Sequence, residues 1–306
     1  NGGKNMGLFK RSMAVTSINF NCWRQDFRVK FILLFTALIV FNTLKPVLQY
    51  GLDNGAVSTP LLLPLLFGST EISVGTPKIY FHIGLILLLC DAPFYYPITP
   101  YAIMRSKRSG WCIGTCLYIA AVSLVYIAFI TVCAALVAVP ILSLRDSWDG
   151  AAADLVYGTS QMSKEQLAQL YPTVIPIIVV KYLYPSGATL YTFLTAWASF
   201  TLLGMILYFV SLISKNILWG LAVSGIIVFL DPILMWLAWP KNYWLQYFSP
   251  VCWTSVESLD SVQAHRALTI PAVSALYVIL LLVSFVAIYY QSKRIMITDL
   301  QGNNDQ

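Results

Sequence analysis

Two carboxylates, Asp91 and Asp231, fall inside long apolar runs. A charge in hydrocarbon is costly, and such residues usually face a bundle interior or a watery cavity. Both are therefore candidates to line a translocation path. An aspartyl-protease dyad needs the two acids at one site. Counted from the cytoplasmic ends of their runs they stand about seven and fourteen residues up, which offsets them by roughly 10 Å at about 1.5 Å per residue. Neither acid lies in a GxGD context. Pro93 and Pro232 loosen the backbone beside them, so a local hydrogen bond or helix cap is the plainer alternative for each.

Other chemistry is sparse. His82 and His265 are the only histidines, far apart in sequence and both expected near the outer surface. The six cysteines form no CxxC. Cys112 and Cys116 share a helical face, but no third ligand stands near them, so they read as small packing residues. No HExxH, GxSxG or GxxxxGK[ST] occurs. The chain is thus expected to be no enzyme, to hold no metal and to bind no ATP through a phosphate loop.

The richest segment is Pro97-Ile98-Thr99-Pro100-Tyr101-Ala102-Ile103-Met104-Arg105-Ser106-Lys107-Arg108-Ser109-Gly110-Trp111. Two prolines end one apolar run. Thr99 offers a cap, with Pro100 at a first helical position. Residues 101–107 then make one or two helical turns, and Gly110 permits the turn into the next run. A short basic helix held between two membrane helices can pass a push from a soluble partner into the bundle. The plainer reading is a topogenic loop.

These residues need elements to hold them. The chain is 58% hydrophobic and 10% charged, against about 25% charged for a soluble domain. A membrane span takes about 20 apolar residues, and six runs qualify, at about 31–51, 79–97, 111–139, 188–213, 217–238 and 268–290. Backbone groups in lipid must be satisfied within each segment, so the runs are helices. The expected fold is an all-α polytopic membrane protein. It divides into an N-terminal cytoplasmic segment (1–30) with an amphipathic interfacial helix, a six-helix membrane domain (31–290) and a cytoplasmic tail (291–306). No cleavage site follows the first run, so no signal peptide is expected. The first five residues stay outside the fold reading.

Charge orients the chain. Lys4, Lys10, Arg11, Arg24, Arg28, Lys30, Arg105, Lys107, Arg108, Lys215, Lys293 and Arg294 fall on one face of the six-run topology. The other face holds the remaining cations spread over longer loops, with most of the acids. The positive-inside rule puts both termini in the cytoplasm of a multi-pass cell-membrane protein. The net charge of +6 therefore speaks for a lipid membrane as partner rather than nucleic acid.

Three outer segments stand out. Residues 59–67 are apolar but broken by Pro60 and Pro64, which suits a buried or interfacial piece. The long loop 140–187 contains a short helix opened by Ser163. Residues 239–267 are rich in Trp and Tyr and read as an interfacial helix or re-entrant hairpin broken at Pro250.

The order of these parts resembles the permease subunit of ABC-2-type ABC transporters over nearly the whole chain. The shared features are an amphipathic helix at 8–30, a short basic helix after the second run, the tight turn Ser214-Lys215-Asn216, and an aromatic outer segment before the last run. The likeness is architectural, and the loop 140–187 is longer than the family usual. It implies an elbow helix at 8–30, outer re-entrant helices at 239–267, and a coupling helix in which Tyr101, Ile103, Met104, Arg105 and Arg108 meet the ATPase. It further implies a homo- or heterodimer of permease subunits and a separate ATPase subunit carrying ATP and magnesium, with no cofactor in this chain. The function implied is ATP-driven export. A small ion- or proton-coupled secondary transporter using Asp91 or Asp231 is the alternative, and an intramembrane enzyme ranks last.

Overall fold

The computed structural model describes residues 7–68, 76–94, 99–160, 162–172, 175–238, 242–256 and 269–292. Among them the chain is helical, with no strand beyond one bridge between Ser58 and Leu142. Five helices are long and apolar enough to cross a membrane. The protein is an all-α, multi-pass membrane protein.

α1 (Leu8–Gln25) buries one stripe, Ser12, Val15, Asn19 and Trp23, spaced as one face of a helix. That stripe lies on α5 (Thr99–Ala138). Close approach is possible because Gly114 has no side chain. A Cβ there would stand 2.6 Å from the Ser12 carbonyl oxygen, and the Thr16 hydroxyl donates to the Gly114 carbonyl at 2.9 Å. Asp26 ends α1 and caps α2 (Phe27–Asn54), its carboxylate accepting from the Arg28 N–H at 2.8 Å.

The second apolar run departs from expectation. α4 spans only Thr76–Leu88, and residues 89–94 form turns. Asp91 therefore stands in a turn, not in a helix, and residues 95–97 of the expected run lie outside those described. The Ala92–Pro93 bond is cis. Phe94, at φ 63°, then turns inward onto Tyr118 and Tyr208.

α5 contains a break. Lys107 has φ 63° and ψ 160°, a region that is essentially glycine's own. The short basic helix thus ends at Lys107, and the turn does not use Gly110. Gly110 instead serves packing: a Cβ on it would lie 3.4 Å from Arg11 Cβ of α1.

α9 (Pro185–Ser214) is the central post. Its buried residues run the whole length, from Ala188 to Leu212, and it touches α3, α4, α5, α10 and α11. Lys215, in the left-handed conformation, closes it, and the expected tight turn delivers α10 (Ile217–Ala238) back alongside. Gly220 makes that pairing close, since a Cβ would meet Ser211 and the Leu207 carbonyl. α10 and α11 (Ile270–Ser292) keep most of their surface outward, as lipid-facing helices do.

The segments expected outside are packed, not loose. α3 (Leu63–Phe67) is buried at every residue, which settles 59–67 as a protein-buried piece. In the long loop lie α6 (Ala151–Tyr157), α7 (Lys164–Leu170) and α8 (Ile177–Tyr182). Ser163 and Gln166 form the capping box that opens α7. The loop is tied to α2 by Tyr50 donating to Asp154 at 3.1 Å and Tyr171 donating to Asp53 at 2.8 Å. Before α11 come two 3₁₀ turns, Tyr243–Phe248 and Cys252–Thr254. The rest of the expected re-entrant segment, 239–241 and 257–267, and the tail after residue 292 lie outside the described residues.

Candidate functional site

Two groups of residues carry chemistry, one at each end of α4. The first surrounds the short basic helix. The Thr99 hydroxyl donates to the Phe94 carbonyl at 3.2 Å and the Ser106 hydroxyl to the Ala102 carbonyl at 2.7 Å. Ile103 and Ser106 are buried, whereas Tyr101, Met104, Arg105, Lys107 and Arg108 are exposed. Of the five residues expected to meet a partner, Tyr101, Met104, Arg105 and Arg108 face outward. Ile103 faces the protein and anchors the helix. The exposed face is thus a mixed aromatic, thioether and cationic surface on a firmly seated element.

Beside it, Arg28 grips Asp91. Its Nη1 donates to one carboxylate oxygen at 2.9 Å and its Nη2 to the other at 2.5 Å. Nη2 also lies 2.9 Å from Asp26, and Nη1 lies 2.6 Å from Cys90 Sγ. Asp91 is thereby held to the junction of α1 and α2, with side chains 30% and 37% exposed.

The second group lies near the start of α4 and is dry. Lys78 Nζ stands 2.9 Å from Asp231 Oδ2, and both side chains are 0% exposed. The other carboxylate oxygen accepts from the Ser249 hydroxyl at 2.5 Å. Lys78 also donates to the Ser255 hydroxyl at 3.3 Å, and Ser255 donates onward to the Phe67 carbonyl at 2.7 Å. One helical turn from Lys78, His82 is fully buried between Phe67 and Phe200. Its Nδ1 faces the Lys78 carbonyl at 2.6 Å and its Nε2 the Ser199 hydroxyl at 3.0 Å. A carbonyl only accepts, so Nδ1 carries a proton, and the Ser199 hydroxyl beside Nε2 donates to the Pro250 carbonyl at 3.3 Å.

Asp91 and Asp231 are therefore not brought together. Each has its own cation. His82, expected near the outer surface, is buried inside the protein, where both ring nitrogens find partners. Lys78, counted from sequence with the outer-loop cations, is the residue that sequence reasoning missed. Its only signal was a lysine opening an apolar run, a turn before a histidine. Among the described residues no group of three or more His, Cys, Asp or Glu could hold a metal. Comparison with known proteins adds no name to this geometry: no protein-family model, curated protein or solved structure matches the chain.

Proposed function

We propose that this chain is the membrane-spanning permease subunit of an ATP-driven ABC exporter, working as a homo- or heterodimer with a separate ATPase subunit. The observation that carries the reading is the short helix 99–106. It is broken from its span at Lys107, seated by Ile103 and Ser106, and turned outward at Tyr101, Met104, Arg105 and Arg108. Interface anchors are typically aromatic residues and Arg, and a push here passes into the rest of α5 and, through Thr99, to the Phe94 carbonyl. In this reading α1 is the elbow helix, both termini are cytoplasmic and α4 is the sixth crossing. Supporting that crossing, α4 runs from the level of Arg28, at the start of α2, to the level of Asp231, deep along α10. Asp231 then meets cargo only when the segment above it lifts.

The test is co-purification of the chain from its native membrane with a nucleotide-binding subunit. The double change Tyr101→Ala/Arg105→Ala should leave the chain folded, because both side chains are exposed. It should also abolish cargo-stimulated ATP hydrolysis in the reconstituted complex. Full stimulated hydrolysis in that variant, or no ATPase subunit bound to the wild type, rejects the reading.

A second reading, a small ion- or proton-coupled carrier, is favoured by one observation: the dry Lys78 and Asp231 pair inside the bundle, next to His82. Transport that survives ATP depletion but stops when an ionophore collapses the proton gradient would select it.

A further inference from the structure

We propose that the pair of Lys78 and Asp231 is the latch of an outer plug, residues 242–256, which opens and closes as a unit. Val251, Cys252, Trp253, Thr254 and Ser255 of this segment are all buried. Val251, Cys252, Trp253 and Val256 join the apolar core, with Trp253 against Tyr277, and a set of polar bonds ties the segment to its surroundings beside them. Ser249 donates to Asp231 of α10, and Ser255 bridges Lys78 of α4 and the Phe67 carbonyl of α3. The Pro250 carbonyl accepts from Tyr277 of α11 at 2.7 Å and lies 3.3 Å from the Ser199 hydroxyl of α9. Polar groups of five helices thus meet the plug, and water can replace these bonds one for one, while its apolar side chains pack on the core. Within the plug, the Cys252 N–H donates to Ser249 and Trp253 Nε1 to the Gln246 carbonyl, so it keeps its own shape.

The ion pair gives this arrangement two states. A dehydrated pair is a poor net stabiliser, because the attraction only offsets lost hydration, while one of its charges left dry alone is strongly unfavourable. Lifting the plug wets both charges together, whereas a partial opening that strands one of them is forbidden. α10 is built to follow. Pro232 directly succeeds Asp231 and cannot donate to the Val228 carbonyl, which loosens the helix at the latch. Met235, one turn on, touches Cys252, Sδ to Sγ at 3.2 Å.

Cys252 reports the opening. The other five cysteines are changed to Ala, and a charged maleimide is applied to unsealed membrane fragments. Both faces are then open to the reagent, and neither orientation, ATP nor cargo enters. The result is thus independent of the exporter reading. The wild-type latch should label slowly but measurably. Lys78→Met should label at least tenfold faster. The paired change Lys78→Met/Asp231→Leu, which removes both charges and fills their space, should label at least threefold more slowly than wild type, because opening no longer gains hydration. No labelling of the wild type means that the plug never lifts and overturns the proposal. So does a single variant that labels at the wild-type rate, or a paired variant that labels as fast as wild type or faster. If Lys78→Met does not fold, the paired variant alone decides.

Discussion

α4 carries an ion pair at each end, and the two obey different physics. Just past its C-terminal end, inner in the proposed topology, Arg28 and Asp91 meet in bidentate geometry with about a third of each side chain in contact with solvent. Near its start, outer in that topology, Lys78 and Asp231 meet with none. Water screens the first pair, so its formation and loss change little. Nothing screens the second, so each partner depends on the other. The inner contact can be remade as the molecule works, and the outer one is all or nothing.

The largest expected effect tests the dry end. Lys78→Met alone, or Asp231→Asn alone, should destabilise the fold by about 3–5 kcal/mol, because each leaves one charge buried without its counterion. Thermal unfolding in detergent measures it. Lys78→Met/Asp231→Leu should recover most of the loss, since apolar residues of similar volume replace buried pairs at little cost. Equal losses in the single and paired variants would break the contrast.

A second variant asks what holds the inner end if charge does not. Gly114→Val places a branched side chain where even a Cβ would meet the Ser12 carbonyl oxygen at 2.6 Å. Overpacking of this kind costs about 1–3 kcal/mol. It should free α1 for proteolysis while leaving the rest of the bundle intact. Unchanged protection of α1 would mean that the seam is not what seats it.

The inner pair itself should matter least. Arg28→Gln is expected to cost at most about 1 kcal/mol. That difference should vanish in about 1 M salt, where the Debye length is about 3 Å. A loss rivalling that of Lys78→Met would erase the distinction between wet and dry. A fourth measurement has no energetic component. Single cysteines at the exposed positions Met104 and Ser160 should fall on opposite sides of the membrane. The one at Ser160 alone should react with an impermeant maleimide in intact cells. Labelling at Met104 alone would invert the assignment of which pair is inner, and labelling at both would reject the opposite placement.

The long helices were legible because a 20-residue apolar run has few other fates. The tight turn at Lys215 and the cap at Ser163 were legible for a similar reason, since their signals are local. α4 was overextended because the apolar run continues through Leu89 and Cys90, although Asp91 and Pro93 were there to stop it. The break in α5 was assigned to Gly110, the residue best suited to it, yet the structure strains Lys107 instead and spends Gly110 on the approach of α1. Lys78 shows the limit most clearly. Whether a lysine is a loop cation or half of a buried pair depends on a partner in another helix, and no local pattern records that. Asp231 stands inside the apolar helix α10 as its run implies, but its counterion comes from another helix, α4.

The seam at Gly114 also sets a timetable. Thr16 and the glycine it binds are 98 residues apart, about 5–20 seconds of synthesis at 5–20 residues per second. Through that interval α1 has left the ribosome and has no mate. Its stripe of Ser12, Val15, Asn19 and Trp23 must wait at the membrane surface, where Trp23 finds headgroups and Asn19 finds water. α1 is therefore seated no earlier than the emergence of α5, while α9, α10 and α11 are still to be made.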